Sequence, residues 1–525
     1  MSSPERTTVR QRSLPIMAVQ ALATFAVALL LAGCTSIFSL GPAREPAELI
    51  RQSEAALGSS DMNTLVFRGR GLSAAVGQAQ SPEEDWPVRQ LRSFSRAMNF
   101  DERAYREDFI RGPATAVAEF ETNTSTPALQ PGEKREDKRG VVLARQAFSW
   151  DVVGVAVAPS QTSWQSRMHD LWLSTPQGAV KGAARHGARA GRRYEGLRRL
   201  NTLSFEVPGQ FEATLLLDDD GLVRRIESVL PEPLLGDVAV RTEFSDYRPR
   251  GGLNFPHRIV QHHDDVLVLD VQVNSVFLNE PLLITVPENV RTSGNAPAVE
   301  FLSDGLWLLA GGTHHSVLIE QADQLVLVEA PLDDERGRAL VGSARRLVDK
   351  KPLGTVVATH HHLDQIGGLR VVAGTGATVF ISSQAQPWLQ AALQRPLARR
   401  PDPLLERTLP LQVEAVGALR MLDDPQRPVE VHAVRNSPHA NGMLMVWLPR
   451  ERLLIHAEAD AGDATAAASV AGGAAGGATG IASAMQNLLD NVARLGLTPL
   501  KFVSLQGGRQ TAAEVYRSAG RTQPP

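Results

Sequence analysis

The sequence predicts a two-domain α+β protein, in which an antiparallel, curved β-sheet or half-barrel precedes a layered α/β domain. From about residue 50 to 290 polar and apolar residues alternate with period two, as they do in half-buried antiparallel strands. From about residue 295 to 525 short apolar runs alternate with segments of helical spacing, which indicates layers of strands and helices. With 525 residues, 43% of them hydrophobic, the chain is long enough to form both cores.

The first 33 residues are typical of an export signal. Three arginines precede a stretch without charge from Leu14 to Gly33, which supplies a basic n-region and an apolar h-region. This stretch runs into the motif LAGC, which resembles the lipobox of bacterial lipoproteins and predicts cleavage before Cys34 and acylation of its sulfur. Residues 34–49 would then form a tether. The alternative is an uncleaved transmembrane anchor, because about 20 apolar residues span a bilayer.

Both interpretations attach the chain to a membrane outside the cytoplasm. The lipoprotein is favoured because small residues directly precede the only cysteine, and it implies a lipid anchor in the bacterial cell envelope, at the outer membrane and facing the periplasm. A single cysteine excludes an internal disulfide and a thiolate zinc cage. With 54 basic and 57 acidic residues the net charge is -3, so nucleic acid is not an expected partner.

The N-terminal region consists of consecutive hairpins. Asp218 to Gly221 have the composition of a turn between two alternating runs, and a series of such hairpins forms a curved sheet or a partial barrel. The segment from Gln161 to Ala188 is ambiguous and is compatible with a helix across the sheet. His262 and His263 fall in a predicted hairpin turn, where solvated turn residues are the expected role. The predicted strand runs are 64–72, 140–154, 211–230 and 238–278.

The C-terminal region alternates strands with helices, and chemistry is expected in the loops at its strand ends. Helical spacing extends over 333–349. Residues 459–482 are almost entirely alanine and glycine, so they lack the large apolar groups that offset ordering entropy and are predicted to form a mobile loop. A role as a lid is left open because the loop includes Asp460. The predicted strands are 306–312, 316–331, 354–360 and 377–382.

Residues 359–368, THHHLDQIGG, carry the candidate metal ligands. Near a strand end residues i and i+2 point to the same side, so His360 and His362 can converge on one ion while the histidine between them faces elsewhere. Asp364 lies one step further along. A third imidazole is available from His439, in a polar turn before an apolar strand. Catalytic zinc sites use such imidazole nitrogens, often three, and leave a fourth position open.

These motifs resemble those of the metallo-β-lactamase superfamily. VVATHHHLDQIGG is similar to its H-x-H-x-D-H loop, SPHANG to the segment of its third metal histidine, and LLIHAEAD to the strand that ends in a bridging aspartate, here Asp460. The likeness covers residues 299–525 and implies an αββα sandwich over 295–525. The chain also resembles a bacterial branch with an extra N-terminal β domain, to which FSWDVVG and DYRPRGGLNFPHRI are similar. That domain in turn resembles the half-barrels of periplasmic lipoprotein carriers.

The resemblance implies one intact metal site and one altered site. The first site of the family uses three histidines, all retained here. The second uses an aspartate and a histidine of the loop, the bridging aspartate and a C-terminal histidine; Asp364 and Asp460 remain, but Gln365 and Gln506 stand where the histidines are expected. A carboxamide oxygen is a poor zinc ligand compared with imidazole. The second site should therefore bind zinc weakly, or hold a harder ion such as magnesium, calcium or manganese.

Two functions of different class follow. The first is a zinc-dependent hydrolase, because three imidazoles with an open position can lower the pKa of a bound water to about 7. Asp364 would orient or deprotonate the water and Asp460 would hold it from the opposite side. The second is a non-catalytic binding lipoprotein with a degenerate hydrolase domain. The expected partners are a small-molecule substrate or an apolar ligand, and the membrane through the lipid anchor.

The substrate cannot be read from the fold, since members of this family cleave lactams, thioesters, phosphodiesters and lactones. Other side chains near the site are weaker candidates. His314 and His315 lie in a predicted turn and could reach the mouth of the site, although ordinary turn residues are the simpler interpretation. Glu329 ends a strand beside the metal loop and could accept a hydrogen bond from a ligand imidazole. His456 is expected to pack within its strand.

Overall fold

The computed structural model describes residues 44–112, 138–153, 156–159, 164–293, 296–406, 410–457 and 478–523. From Pro46 onward the chain forms one compact unit. The signal, Cys34, most of the tether, Asp460 and residues 459–477 of the Ala/Gly-rich loop lie outside the described residues. Within the described ranges, no helix combines the length and the apolar character needed to cross a bilayer.

Among the described residues, thirteen antiparallel strands form one N-terminal sheet, and the prediction of period-two hairpins is confirmed. In the sheet β1 pairs with both β2 and β13, which joins the meander β1–β6 to the meander β7–β13. The strands are β1 Thr64–Ala74, β2 Val88–Asn99, β3 Ala104–Gly112, β4 Lys138–Arg145, β5 Phe148–Val153, β6 Ala156–Pro159, β7 Arg189–Glu195, β8 Arg198–Val207, β9 Phe211–Leu217, β10 Val223–Glu232, β11 Gly236–Arg250, β12 Leu253–His263 and β13 Val266–Leu278.

The ambiguous segment before residue 188 folds as two helices, α2 (Trp164–Leu173) and α3 (Pro176–Arg185); α1 (Pro46–Leu57) precedes the sheet and α4 (Glu288–Ser293) follows it. Helix α2 contacts β3, β4 and β5 and also β10, six positions from β3 in the sheet order, so the sheet curves around it. The curved sheet is therefore confirmed. The tight turn after β12 falls on Asp264 and Asp265, whose φ angles are 46° and 70°, so the paired histidines before them end a strand instead of forming the turn.

In the part of the C-terminal region that the structure describes, the strands form two sheets. The first has the order β14 to β20, with parallel pairing from β17 onward, and the second has the order β21 to β26. The strands are β14 Ala298–Ser303, β15 Leu306–Ala310, β16 Ser316–Glu320, β17 Leu325–Val328, β18 Leu353–Val357, β19 Thr378–Ser382, β20 Val413–Val416, β21 Leu419–Leu422, β22 Val429–Ala433, β23 Leu444–Leu448, β24 Leu453–His456, β25 Lys501–Ser504 and β26 Gly508–Thr511.

Helices cover both outer faces of these two sheets, and the αββα sandwich is confirmed. Strand β17 shows the layering, because Val326 and Val328 join the core between the sheets while Leu325 and Leu327 pack under helices. A strand buried on both faces explains the continuous apolar run LVLV. The helices are α5 Asp334–Leu347, α6 Leu363–Ile366, α7 Leu369–Gly374, α8 Gln386–Gln394, α9 Ala478–Arg494 and α10 Ala512–Ser518. Helix α9 thus begins within the segment predicted as a loop, since alanine is a strong helix former.

One buried arginine joins the sheet of the N-terminal half to the C-terminal half. Arg370 in α7 is 0% exposed. It donates to the backbone carbonyls of Pro233 and Leu234, beyond β10, at 3.0 and 3.2 Å, and forms an ion pair with Asp402 at 2.9 Å. It also donates to the carbonyls at the end of α8. The guanidinium therefore satisfies acceptors from three separate segments.

Candidate metal centre

The three histidines predicted as ligands come from two loops that follow strands. His360 and His362 follow the parallel strand β18, and His439 lies in the connection between β22 and β23. The backbone N–H of Leu444 at the start of β23 donates to the carbonyl of Thr359 at 2.7 Å. This bond ties the first loop to the second sheet and brings the two loops together.

The structure gathers the three imidazoles around one point. Their ring centroids form a near-equilateral triangle: His360 lies 4.6 Å from His362 and 4.9 Å from His439, and the last two lie 4.7 Å apart. One nitrogen of each ring lies within 4.8 Å of the other two, and among the described residues these three form the group able to hold a metal ion. The rings therefore converge as the i, i+2 spacing predicts.

The ring nitrogens face one another in a way that suits a cation. The Nε2 atoms of His360 and His439 lie 3.1 Å apart. Zinc–imidazole bonds of ~2.0–2.1 Å place ligand nitrogens about 3.3 Å apart in a tetrahedral site. The Nδ1 atom of His362 is buried and has no hydrogen-bond partner among the described residues. A buried nitrogen without a partner is costly unless a ligand occupies it, so the residues fit a metal ion.

The environment keeps the three imidazoles neutral, as metal ligands must be. Burial, and then the neighbouring rings, lower the pKa of His360 well below its usual value. Burial and His362 lower the pKa of His439 to about 3. The pKa of His362 is also lowered, mainly by burial, although Asp364 opposes the shift. At neutral pH each ring can therefore offer a lone pair.

A chain of buried groups orients His360. Its Nδ1 atom lies 3.0 Å from Oγ1 of Thr359, whose hydroxyl donates to the carboxylate of Glu329. The sequence analysis expected Glu329 to bond directly to a ligand imidazole. In the structure Glu329 instead acts through Thr359, which lies between its carboxylate and His360. Burial raises the pKa of Glu329 to about 8. Its φ of 71° is rare for a residue other than glycine, and such backbone conformations gather at functional sites.

The predicted second site is only partly described, because Asp460 lies outside the described residues. Asp364 accepts a hydrogen bond from Nε2 of Gln78 at 2.9 Å, and its other oxygen lies 3.3 Å from Nε2 of His314. Burial would raise the pKa of Asp364, but the neighbouring imidazoles of His314 and His362 and the hydrogen bond from Gln78 hold it well below its usual range. The carboxylate is therefore ionised.

The two glutamines of the second site differ in their surroundings. Gln365 is 0% exposed, and neither its amide oxygen nor its amide nitrogen has a partner among the described residues. Gln506 follows β25 and is half-buried, with its backbone N–H directed to Ser504 Oγ at 3.3 Å. The buried, unpartnered carboxamide of Gln365 is a polar group that a ligand or ion at this position would satisfy.

Of the paired histidines before β16, the structure brings one to the site. His314 is 1% exposed and contacts Asp364, so it is not an ordinary turn residue. His315 instead accepts from the N–H of Gly311 and donates its own N–H to the carbonyl of Leu505. The first contact lies within the loop, and the second ties the loop to the residue that follows β25. The sequence could not separate the two histidines, because adjacent residues of one type in a turn carry the same signal.

A segment of the N-terminal sheet lies across this centre. Residues 75–81, here called the strap, belong to the connection between β1 and β2. The carbonyl of Ala79 accepts hydrogen bonds from Nε2 of both His361 and His362, at 3.0 and 2.8 Å. The sequence analysis did not identify the strap, because a backbone carbonyl in a distant loop leaves no residue pattern to detect.

A cavity of about 280 Å³ opens beside the centre, between the curved sheet and the C-terminal half. Gln78 of the strap and Asp364 of the metal loop line one part of it. The sheet contributes the buried pair Arg96 and Glu107, whose charged atoms lie 2.6 Å apart. Asp364 therefore borders the cavity, whereas the three clustered histidines do not line it.

The region around this centre matches one known protein family. A family model described as the metallo-beta-lactamase superfamily matches residues 309–498. A search of the curated proteins found no match. Among solved structures, the DIM-1 metallo-β-lactamase exposed to ceftazidime is 14% identical, with 43% of this chain and 95% of that chain covered and a TM-score of 0.31.

Two further solved structures show similar figures. A metallo-β-lactamase from Pontibacter korlensis is 16% identical over 43% of this chain and 97% of its own, with a TM-score of 0.32. Rubredoxin oxygen:oxidoreductase from Desulfovibrio gigas is 14% identical over 42% of this chain and 60% of its own, with a TM-score of 0.32. The region from 309 to 498, which includes all three clustered histidines, matches the family model, and this part of the chain belongs to the metallo-β-lactamase superfamily.

Proposed function

We propose that this protein is a metal-dependent hydrolase of the bacterial cell envelope, anchored by a lipid on Cys34, that holds one zinc ion on His360, His362 and His439. The observation that supports it most is the buried Nδ1 of His362, which lacks a partner among the described residues and belongs to a ring clustered with two other neutral imidazoles. Three imidazole ligands leave the fourth position open, as catalytic zinc sites do. The anchor is supported by the LAGC motif alone.

When bound, a zinc ion would acidify water and polarise the bond to be cleaved. Asp364 is the group of this chain placed to handle the proton, because it is ionised and its side chain is only 8% exposed beside the histidines. Each of its oxygens faces one partner, Gln78 or His314, and a carboxylate oxygen has two lone pairs, so it can still accept from water. Asp460 is proposed to hold the water from the other side. The cavity beside Asp364 is the proposed place of a small-molecule substrate.

Loss of one ligand should separate this function from a purely binding role. The full-length protein, purified in detergent, is expected to retain about one zinc per chain and to hydrolyse a chromogenic ester or β-lactam. Chelation should stop turnover and added zinc should restore it. His439→Ala should lose both zinc and turnover, whereas His257→Ala, on strand β12 of the N-terminal sheet, should keep both.

The readouts are elemental analysis and the initial rate of hydrolysis. Turnover that persists in His439→Ala, or a wild-type protein that carries no metal after purification, would favour the alternative of a non-catalytic lipoprotein that binds an apolar ligand or a protein. The cavity would then be the place to look for that ligand.

Restoring both imidazoles of the second site should change the metal stoichiometry. The double variant Gln365→His with Gln506→His is expected to bind about two zinc ions, because imidazole replaces a neutral carboxamide oxygen at both positions. Histidine and glutamine have similar volumes, and the buried Gln365 amide has no described partner to lose. Elemental analysis after dialysis checks the result. Two tightly held zinc ions in the unaltered protein would contradict the proposed weakness of the second site.

A further inference from the structure

The strap is bonded to both loops that carry the clustered histidines. On the side of the first loop, the carbonyl of Gly77 accepts from the N–H of Leu363 at 3.3 Å, and Gln78 donates to Asp364. On the side of the second loop, the carbonyl of Gln80 accepts from the N–H of Asn441 at 2.7 Å. The side chain of that asparagine donates to Ser81 at 2.8 Å. The strap therefore spans the loop of His360 and His362 and the loop of His439.

The contact with Ala79 decides which nitrogen of His362 is free. A backbone carbonyl can only accept, so Nε2 of His362, 2.8 Å away, must carry the proton. In a neutral imidazole the other nitrogen then holds the lone pair. That nitrogen is Nδ1, which is buried and has no hydrogen-bond partner among the described residues, on a ring that belongs to the three-histidine cluster. The same carbonyl accepts from His361, so both of its lone pairs are used.

We propose that the strap is part of the metal centre, with the carbonyl of Ala79 as a positioning group that fixes the tautomer and orientation of His362. Gln78 does the same for Asp364 by donating to its carboxylate. The N-terminal half therefore sets the metal affinity of the C-terminal half. This inference rests on the proposed zinc function, and it assigns the extra sheet a task inside the active centre.

The packing of the strap leaves little freedom at Gly77. Its φ is +75°, and an added Cβ would lie 2.6 Å from Cγ and 2.7 Å from Cβ of Leu363. These are atoms of the metal loop itself, directly after His362. A methyl group at Gly77 must therefore push the strap away from the loop and move the Ala79 carbonyl from His362. Gly209 offers a matched control, because its φ is +69° and an added Cβ there meets nothing within 4 Å.

The test compares Gly77→Ala with Gly209→Ala in the full-length protein. Both substitutions place alanine at a left-handed backbone position, so they share that conformational cost. Groups that orient a metal ligand typically change metal affinity by about 10- to 100-fold when they are removed. Gly77→Ala should therefore raise the zinc dissociation constant, measured by competition with a chelator, by about that factor. Gly209→Ala should leave it unchanged, and equal constants for the two variants would overturn the inference.

A spectroscopic readout separates positioning from general stability. The nitrogen chemical shifts of His362 in metal-free protein should show the proton on Nε2, and Gly77→Ala should shift the population toward a proton on Nδ1. The same tautomer in both proteins would contradict a positioning role. This measurement needs no metal, so it still decides the inference if the unaltered protein binds no zinc, an outcome that would sink only the proposed function.

A second variant covers the case in which Gly77→Ala does not fold. The double variant Gln78→Leu with Ser81→Ala removes two side-chain hydrogen bonds of the strap. Unlike Gly77→Ala, it adds no atom beside Leu363. The double variant should also weaken zinc binding and disturb the tautomer of His362. A folded double variant with unchanged zinc affinity and an unchanged tautomer would overturn the proposal.

Discussion

His362→Ala is expected to abolish stoichiometric zinc binding and, with it, hydrolysis. Structural zinc sites bind with about 10–16 kcal/mol in total, so one ligand among three or four contributes about 3–4 kcal/mol, or roughly 10²- to 10³-fold in affinity. The loss should be at the upper end, because His362 is buried and no other imidazole of the described cluster can replace it. Elemental analysis after dialysis against a weak chelator measures the effect.

The neighbouring histidine gives a control of the same type on the same loop. His361 is also buried and also donates to Ala79, but it lies outside the group of converging nitrogens. His361→Ala should therefore keep about one equivalent of zinc. If His362→Ala retained zinc as well as His361→Ala does, the three-histidine site would have to be abandoned.

Arg370→Met is expected to cause the largest loss of stability. Removing one partner of a buried ion pair costs about 3–5 kcal/mol, because the remaining charge stays buried without compensation. Here Asp402 would keep its carboxylate in the interior, and the carbonyls of Pro233 and Leu234 would lose their donor. The free energy of unfolding, from the midpoint of denaturation in urea, measures the loss.

Two further variants test the cause. Arg338→Met removes an arginine whose side chain is 51% exposed and should change the free energy of unfolding by no more than about 0.5 kcal/mol. Arg370→Met combined with Asp402→Leu should recover part of the stability, because it removes both charges of the buried pair. An equal and small effect of Arg370→Met and Arg338→Met would show that the buried pair does not hold the two halves together.

Patterns of local spacing account for what the sequence could predict. The period of two in the first half and the doubly buried run LVLV in β17 follow directly from which faces of a sheet are covered. The H-x-H spacing places His360 and His362 on one side of a strand end. These features depend on residues close together in the chain, so they can be predicted before the fold is known.

The remaining features of the site depend on contacts between distant segments. Ala79 precedes His362 by 283 residues, and it acts through its carbonyl, which every residue possesses. No side-chain pattern could indicate that role. The burial of His314 beside Asp364 also arises only when two separate loops pack together. The contact between Thr359 and His360 could have been predicted from the sequence, because a hydroxyl directly before a candidate ligand can bond to its ring.

The hydrogen bonds from Arg370 to the segment after β10 limit how the two halves can be exchanged between proteins. A chimaera that joined the C-terminal half to a foreign sheet would inherit a buried guanidinium deprived of two of its acceptors. Hybrids made by recombination between relatives should therefore fold when both halves come from the same parent. They should fail to fold when the crossover falls between the two halves.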